Sequence, residues 1–451
     1  MRRSALCLAL VLVAAPRLAA DDQRRKAMAP GPKSSGEVFE WKFADGSPYE
    51  YYVPEAYDPQ RGANLTVVLH GNGLDYRWTF WNHEAGKFRP DDIVVSLEGT
   101  QKLPSTGAFE FMAGRDSCAK VHAILEELKG QWKVNQTFLY GHSQGSFFVF
   151  EYAGEFPQDV AGVVGHAGAL WASSKLAKGN HHQAIAFLHG TDDMNVRWAQ
   201  SVDGRAAYLT ADYPLVHLRT LWAWPHAPHW RQAMHQLAWC EGMTSTDPVR
   251  VGKCLADLAD GKAAGGVDPA ACYGVAARLA TLAGASVADQ AAATGARAAI
   301  DGCATRIAAA IEKELGKGKL TKVDGRPWLG LTLRFLEDFD GVPACAAFAK
   351  KRAAELAAVD KVTADGAREF WQKADRDPAD ALALGARLIE GGWRNAWLDD
   401  VVARVEKLLG DPGIKLAKKE SARIAAVVVA WRKGRDDGFA DFGKLLKGLD
   451  L

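Results

Sequence analysis

Short apolar runs alternate with segments of helical period along residues 65–224, and this alternation constrains the fold more than any other feature of the chain. Apolar runs of about four to eight residues between turn signals are typical of buried strands. Helical segments between successive strands indicate right-handed crossovers, which place the strands parallel in one sheet. We therefore predict an α/β fold, with a mostly parallel sheet covered by helices on both faces. The strand candidates are LTVVLHG, DIVVSLEG, QTFLYG, VAGVVGHAG, AIAFLHG and LVHLRTLWAW.

Segments with other patterns flank this region. Before it, EVFEWKF and YEYYVP alternate apolar and polar residues around Asp45-Gly46, which predicts a β-hairpin. After Trp239 the strand-like runs stop, and alanine-rich segments of helical period are punctuated by glycine and proline. A chain of 451 residues favours two domains. We predict an α/β domain at residues 37–240, which would carry any catalytic site, and an all-helical C-terminal domain at residues 241–451, without a fixed repeat period.

The N-terminal sequence MRRSALCLALVLVAAPRLAA has the organisation of a secretory signal peptide, with two arginines before an apolar run and small residues after it. We expect residues 1–20 to be removed and the protein to be secreted or periplasmic. A membrane anchor is the alternative, but the apolar run is shorter than the ~20 residues that span a bilayer. Residues 21–36, rich in charge, proline and glycine, are expected to form a flexible lead-in.

The charge balance argues against nucleic-acid and anionic membrane partners, and the cysteine spacing argues against a zinc site. Lys and Arg total 55 against 54 for Asp and Glu, so the chain has no charge excess suited to nucleic acid or an anionic membrane surface. The cysteines beyond the N-terminal apolar run follow no zinc-type spacing, and neither metal nor cofactor is expected. In an exported protein they form either disulfides or buried free thiols, and the sequence leaves both open. They are Cys118, Cys240, Cys254, Cys272, Cys303 and Cys345.

The sequence FLYGHSQGSFF, residues 138–148, places Ser143 between two glycines. The five-residue pattern alone arises by chance in about one chain in seven of this length, at ordinary glycine and serine usage. Its context is more specific, because a strand candidate precedes it and a helical segment follows. Ser143 then lies at a sharp strand-to-helix turn, where Gly141 and Gly145 leave room for a strained backbone. The helix N-terminus favours negative charge near the backbone N–H of Gln144.

Polar residues follow three more strand candidates. HGNG, residues 70–73, is either a glycine turn or a loop that directs a backbone N–H at a substrate carbonyl oxygen. TDDMNV contains Asp192 and Asp193, either of which could orient an imidazole while the other caps the following helix. PHAPH contains His226 and His229, and either could be a general base near neutral pH. Because parallel strands end at one edge of a sheet, these residues are expected to converge.

Serine, aspartate and histidine in this order, each after its own strand, resemble the α/β-hydrolase superfamily. The motifs most resemble its secreted esterase branch, with polyhydroxybutyrate-depolymerase-like, feruloyl-esterase-like and phospholipase/carboxylesterase members. The resemblance covers residues 37–239. The matching segments are Y-x-x-Y-x-P at residues 49–54, HGNG, GHSQG, HGTDDMNV and PHAPH.

The resemblance implies a role for each matched residue. Ser143 is the expected nucleophile and Asp193 the expected acid. The backbone N–H groups of Asn72 and Gln144 are the expected oxyanion donors.

Alignment on the proline of PHAPH implies that His229 is the base. Two glycine positions of the family's motif hold His226 and Pro228 in this chain. The loop that carries the base therefore departs from the family pattern, and His226 remains the alternative base.

The sequence predicts a secreted serine hydrolase that cleaves carboxylic esters through a Ser-His-Asp triad and an acyl-enzyme. The expected substrate is a small-molecule or polymeric ester, with no integral membrane association after signal cleavage. A serine peptidase of the same superfamily uses the same groups and is one alternative. A catalytically inactive, hydrolase-like binding protein is the other. The helical segments do not indicate whether they cap the site, bind a polymer or mediate assembly.

Overall fold

The computed structural model describes residues 29–30, 36–78, 89–104, 107–177, 182–260, 266–316, 326–391 and 396–447. The predicted signal peptide and most of the predicted lead-in lie outside these residues. None of the helices in the described part of the chain is both long enough and apolar enough to cross a membrane.

The strands of the described residues are β1 (Val38–Lys42), β2 (Pro48–Tyr52), β3 (Ala63–Leu69), β4 (Asp92–Leu97), β5 (Gln101–Lys102), β6 (Phe109–Glu110), β7 (Val134–His142), β8 (Gly162–His166), β9 (Ala184–Gly190) and β10 (Val216–Leu221). One sheet has the order β1-β2-β4-β3-β7-β8-β9-β10, and β5 pairs with β6 apart from it. The predicted hairpin, β1 and β2, joins the sheet antiparallel to β4. From β4 to β10 every pair is parallel, which confirms the predicted α/β sheet.

The described helices are α1 (Arg115–Gln131), α2 (Gln144–Glu155), α3 (Trp198–Thr210), α4 (Trp230–Thr244), α5 (Pro248–Leu258), α6 (Pro269–Leu279), α7 (Val287–Leu315), α8 (Arg326–Asp338), α9 (Pro343–Ala374), α10 (Pro378–Gly391), α11 (Ala396–Leu409) and α12 (Lys418–Lys447). Several begin at the caps that their sequences encode. The Asp247 side chain accepts the N–H of Val249 where Pro248 opens α5. Ser286 and Asp289 form a reciprocal capping box at the start of α7.

Helices cover both faces of the sheet. All of β3 is buried, and its side chains alternate between the faces. Leu65, Val67 and Leu69 pack into a cluster to which α1, α2 and α3 contribute. Val68 packs into a second cluster, formed with α4, α5 and α6. A parallel sheet of this kind is stable only when both faces are covered.

The helical C-terminal region is present, as predicted. Helices α7 to α12 form two further hydrophobic clusters, one around α7, α8 and α9 and one around α10, α11 and α12. The predicted domain boundary at residues 240 and 241 falls within α4. Because α5 and α6 belong to the cluster on the second face of the sheet, the first helices of the C-terminal region share a core with the sheet.

The cysteines of the described residues, Cys118 to Cys345, are all buried free thiols. Burial raises the pKa of Cys118 to about 12 and that of Cys303 to about 11. Of the two alternatives left open by the sequence, the structure contains the free thiols, and they are protonated at neutral pH.

The strand register brings the carboxyl ends of the central strands to one edge. Leu69 of β3 pairs with Gly141 of β7, and Leu221 of β10 pairs with Gly190 of β9. The loops that follow these strands therefore leave the sheet side by side. In open α/β sheets this edge is where ligands bind.

Candidate active site

Ser143 occupies the sharp turn between β7 and α2. Its φ of 54° and ψ of −117° are strained for a residue other than glycine. The flanking glycines are required by close backbone contacts. A Cβ at Gly141 would lie 2.1 Å from the carbonyl oxygen of Gly145, and a Cβ at Gly145 would lie 2.5 Å from that of Leu69. The local geometry is that of a nucleophile elbow.

His226 connects Ser143 to Asp193. Its Nε2 lies 3.0 Å from Ser143 Oγ, and its Nδ1 lies 2.7 Å from Asp193 Oδ2. With the proton on Nδ1, the neutral imidazole donates to the carboxylate and accepts the hydrogen of the serine hydroxyl. The three side chains follow β7, β9 and β10, so the parallel register brings them together.

The sequence pattern favoured His229 as the base, but the structure places His226, and not His229, beside Ser143. His229 lies at the N-terminal end of α4, where its Nδ1 accepts the N–H of Gln232 at 3.4 Å. Its ring packs on Trp224 with the ring centroids 4.5 Å apart. The side chain is buried, and this burial lowers its pKa. His229 therefore caps a helix, and His226 takes the position beside the serine.

The loop after β10 explains this difference from the family pattern. The indole N–H of Trp224 donates to the carbonyl oxygen of Ala227 at 2.8 Å, and the N–H of Ala227 donates to that of Pro225 at 2.7 Å. These bonds fold the loop tightly directly after the proline. The first histidine, His226, is thus presented to the site, and α4 begins immediately after the second.

Asp193 is held by donors at both carboxylate oxygens. Oδ1 accepts the N–H groups of Asn195 and Val196, each at 2.8 Å, and Oδ2 faces His226. Burial opposes ionisation, but hydrogen bonds from His189 and His226 outweigh it and hold the pKa of Asp193 well below its usual range. A buried, ionised carboxylate is what orients and stabilises an imidazolium.

Asp192 lies beside Asp193 but contacts the C-terminal helices instead. Its carboxylate pairs with Arg432 of α12, which also binds Glu406 of α11 at 2.6 Å. The geometry therefore favours Asp193 over Asp192 as the acid. It also shows that the helical region packs against the loop that carries the acid.

The loop after β3 lies against Ser143. A Cβ at Gly71 would be 3.1 Å from the Ser143 Cβ. The N–H of Leu74 donates to the Gly71 carbonyl oxygen at 3.2 Å, and Gly73 adopts a φ of 74°, so residues 71–74 form a tight turn. Asn72 lies at the exposed corner of that turn. Its backbone N–H as an oxyanion donor stays a prediction.

Gln144 is the first residue of α2, directly after Ser143. Its side-chain Oε1 accepts the N–H of Phe111 at 3.2 Å, and its Nε2 donates to Glu110 Oε2 at 2.8 Å. These bonds fix the start of the helix, whose N-terminus favours negative charge. The role of the Gln144 backbone N–H as the second oxyanion donor also stays a prediction.

Two buried histidines at this site were assigned no role from the sequence. The His142 ring lies 5.1 Å from that of His226 and 5.4 Å from that of Trp78. Burial and the neighbouring His226 lower the pKa of His142 to about 3, so it is neutral. His189 Nε2 lies 3.2 Å from Asp193 Oδ2. Both histidines belong to the matched motifs, but a motif does not say which side chains face one another.

Among the described residues, His122, Glu126 and Asp159 place potential metal-ligand atoms within 4.8 Å of one another. His122 Nδ1 is 2.6 Å from Asp159 Oδ2, and Lys129 Nζ is 2.9 Å from Glu126 Oε1. The lysine already supplies positive charge to the carboxylates. This group is therefore explained as an ion-pair cluster on the surface of α1, and the Ser143 site does not include it.

Residues 115–234 match the phospholipase/carboxylesterase family. The matched segment runs from α1 to α4 and includes Ser143, Asp193 and His226. It confirms, over this segment, the resemblance to phospholipase/carboxylesterase members of the α/β-hydrolase superfamily.

Several solved structures are similar to part of the chain. A carboxylesterase from Bacillus cereus is 15% identical, with a TM-score of 0.37 over 44% of this chain and 94% of its own. A carboxylesterase from Mesorhizobium loti is 16% identical, with a TM-score of 0.35 over 42% of this chain and 92% of its own. Est1E from Butyrivibrio proteoclasticus, solved with ferulic acid bound, is 15% identical, with a TM-score of 0.33 over 45% of this chain and 95% of its own. No curated protein matches the chain.

Proposed function

We propose that this chain, an α/β-hydrolase with a phospholipase/carboxylesterase segment, hydrolyses carboxylic esters through Ser143, His226 and Asp193 and an acyl-enzyme intermediate. One observation carries the proposal. Ser143 Oγ, the His226 imidazole and the Asp193 carboxylate form a continuous chain of contacts at 3.0 and 2.7 Å. A strained elbow at the serine and a buried, ionised acid support the same function.

The acylation half of the reaction uses these groups in a defined order. His226 Nε2 removes the hydroxyl proton as Ser143 Oγ attacks the ester carbonyl carbon. Asp193 stabilises the resulting imidazolium, and the backbone N–H groups of Asn72 and Gln144 donate to the developing oxyanion. The tetrahedral intermediate then collapses, and the leaving alcohol takes the proton from His226.

Deacylation repeats the same transfers with water in place of the serine hydroxyl. His226 accepts a proton from the attacking water, and the second tetrahedral intermediate expels Ser143 Oγ. The imidazolium returns its proton to the serine, which restores the starting state. The net reaction converts one ester and one water molecule into a carboxylic acid and an alcohol.

We also propose that the mature enzyme is secreted or periplasmic and acts on a small-molecule or polymeric ester. The organisation of residues 1–20 as a signal peptide supports the location. N-terminal sequencing of protein recovered from the periplasm or medium tests it. We expect a new N-terminus shortly after residue 20, and a full-length N-terminus in the membrane fraction would favour an anchor.

A fluorophosphonate probe tests the nucleophile, because it reacts covalently only with an activated serine. Wild-type protein should be labelled, with the adduct on the peptide that contains Ser143, and Ser143→Ala should remain unlabelled. Ser146→Ala is the matched control, since this buried serine lies one helical turn further on. Wild-type protein that stays unlabelled would contradict the proposal and favour an inactive, hydrolase-like binding protein.

Paired substrates separate an esterase from a peptidase. We expect turnover of short-chain aryl and alkyl esters that greatly exceeds turnover of aminoacyl amides with the same acyl group. Faster hydrolysis of the amides would favour a serine peptidase. Hydroxycinnamoyl sugars and short polyesters extend the panel and define the class of ester.

A further inference from the structure

His189 is a buried residue of this site that the proposed mechanism does not use. It lies near the end of β9, and its side chain is fully shielded from solvent. Its Nδ1 is 2.6 Å from Ser201 Oγ. Its Nε2 is 3.0 Å from the Val196 carbonyl oxygen and 3.2 Å from Asp193 Oδ2. The ring thus has polar contacts at both nitrogens, and one of them is to the candidate catalytic acid.

The neighbours of Nε2 determine its protonation. A carbonyl oxygen and an ionised carboxylate only accept hydrogen bonds. Nε2 must therefore carry a hydrogen, because otherwise three lone-pair acceptors would face one another in a buried space without a hydrogen between them.

Ser201 determines the protonation of the other ring nitrogen. Its hydroxyl has one hydrogen, and its Oγ lies 2.8 Å from the carbonyl oxygen of Gly168 as well as 2.6 Å from His189 Nδ1. If the hydroxyl donates to Gly168, the serine oxygen must accept a hydrogen from Nδ1. If it donates to Nδ1 instead, the Ser201 and Gly168 oxygens face each other without a hydrogen between them. The first arrangement satisfies every contact.

We propose that His189 carries a proton on both ring nitrogens and is a positioning residue for the Asp193 carboxylate. The proposal rests on the proposed function of Asp193 as the acid of the triad. The imidazolium donates through Nε2 to Oδ2, the same oxygen that faces His226. Asp193 is thereby held between two imidazoles. A buried charge is tolerated when it is paired and hydrogen-bonded, and His189 and Asp193 meet both conditions.

The other titratable groups around this pair do not compete for its charge. His166 of β8 and His142 of β7 are buried, and burial lowers the pKa of both, so they are neutral. Asp400 of α11 approaches Asp193, but burial raises its pKa far above the usual value. The ionised Asp193 therefore remains as the counter-charge of His189.

The second imidazole changes the electrostatic environment of His226. A cation on one side of Asp193 offsets part of the carboxylate charge that His226 experiences on the other. Only the deprotonated base can activate Ser143. We infer that His189 extends the acid limb of the kcat/KM profile to lower pH.

Two substitutions of His189 separate its charge from its hydrogen bond. His189→Gln keeps an N–H donor near the position of Nε2 without a charge, whereas His189→Leu removes both. We expect both variants to shift the midpoint of the acid limb upward by about one pH unit. We also expect the kcat of the leucine variant to fall about tenfold below that of the glutamine variant.

The pattern of shifts decides the proposal. If the acid-limb midpoint shifts in His189→Leu but not in His189→Gln, His189 of the wild type acts as a neutral hydrogen-bond donor. That result would overturn the proposal that both ring nitrogens carry a proton. No shift in either variant would overturn the whole proposal. Should the leucine variant fail to fold, Ser201→Ala provides the second test, because it removes the acceptor at Nδ1 in a small substitution. It should produce the same upward shift, and Ser146→Ala, next to Gly168, should not.

Nitrogen-15 NMR of histidine-labelled protein tests the protonation state without any substrate. The resonances of His189 are identified by their loss in His189→Gln. Near pH 7 both ring nitrogens should have the chemical shifts of protonated nitrogen, and one bare nitrogen would overturn the proposal. This result does not depend on ester turnover. Absence of fluorophosphonate labelling would contradict the proposed function and leave the test of His189 intact.

Discussion

Replacing His226 and His229 singly by alanine tests the central assignment of the site. The sequence pattern favoured His229 as the base, and the structure places His226 beside the nucleophile. His226 Nε2 is 3.0 Å from Ser143 Oγ, whereas His229 Nδ1 accepts a backbone N–H of α4. The two variants should therefore lose different properties, one activity and the other stability.

The expected size of each loss follows from these contacts. His226→Ala leaves Ser143 without a proton acceptor and Asp193 without one of its donors, which removes the base from the triad. In serine hydrolases this costs about 10⁴ to 10⁶ in kcat. At about 1.4 kcal/mol per tenfold, the activation free energy rises by about 5 to 8 kcal/mol. His229→Ala removes a helix cap, worth about 0.5 to 2 kcal/mol of stability, and should leave kcat within about threefold of wild type.

The assay combines initial rates with equilibrium unfolding on the same preparations. Hydrolysis of a short-chain nitrophenyl ester gives kcat and KM, and urea unfolding gives the free energy of unfolding. His229→Asn is the matched control, because asparagine is a strong N-cap residue and should restore most of the stability lost in His229→Ala. Fluorophosphonate labelling of each variant reports on Ser143 independently of substrate binding.

Two results would refute the assignment. One is a His226→Ala variant that retains more than about a tenth of wild-type kcat, since no other side chain in the described site contacts Ser143 Oγ as His226 does. The other is a His229→Ala variant that folds with wild-type stability and yet loses activity by several orders of magnitude. Either result would show that the loop after β10, which carries both histidines, rearranges when substrate binds.

Three further predictions concern the elbow, the C-terminal helices and a buried carboxyl group. Gly145→Ala places a Cβ 2.5 Å from the Leu69 carbonyl oxygen, so the free energy of unfolding in urea should fall by about 1–3 kcal/mol; an unchanged value would contradict the clash. Arg432→Ala removes the ion pair with Asp192, so kcat/KM should fall about two- to fivefold, and high salt should reduce this difference from wild type. Equal values of kcat/KM at low salt would show that the ion pair does not support the loop that carries Asp193. Burial raises the pKa of Glu337 from its usual 4.5 to about 8, so the folded protein keeps a proton that the unfolded chain releases. The free energy of unfolding should therefore decrease between these pH values, and Glu337→Gln should lose that part of the decrease; the same pH dependence in both proteins would contradict the shift.

Much of the fold could be predicted because its signals are local. Each strand of the parallel sheet is a short apolar run bounded by glycine or polar residues, and the intervening segments have helical period. The order of the elements then restricts the topology, because crossovers between parallel strands are right-handed. The end of the strand-like runs after Trp239, and the segments of helical period that follow, also predicted the helical C-terminal region. What the sequence did not show is that α5 and α6 share a hydrophobic cluster with the sheet, since that depends on contacts between distant segments.

The site was predictable to the level of motifs and only partly to the level of side chains. Ser143 followed from the glycines of a strand-to-helix turn, which are local features. The choice between His226 and His229 depended on how a short loop folds, because two hydrogen bonds among Trp224, Pro225 and Ala227 set which ring reaches the serine. Alignment on the proline could not include those bonds.

Local sequence patterns were enough to predict the order of strands and helices, the sharp turn at Ser143 and the order of the candidate serine, acid and base along the chain. Only the packed structure shows which histidine lies beside Ser143, that Asp192 pairs with Arg432 of a helix far along the chain, and that His189 faces Asp193. Those outcomes depend on distances between side chains of different elements. Such distances are set by how the sheet and its loops pack, which a linear pattern does not contain.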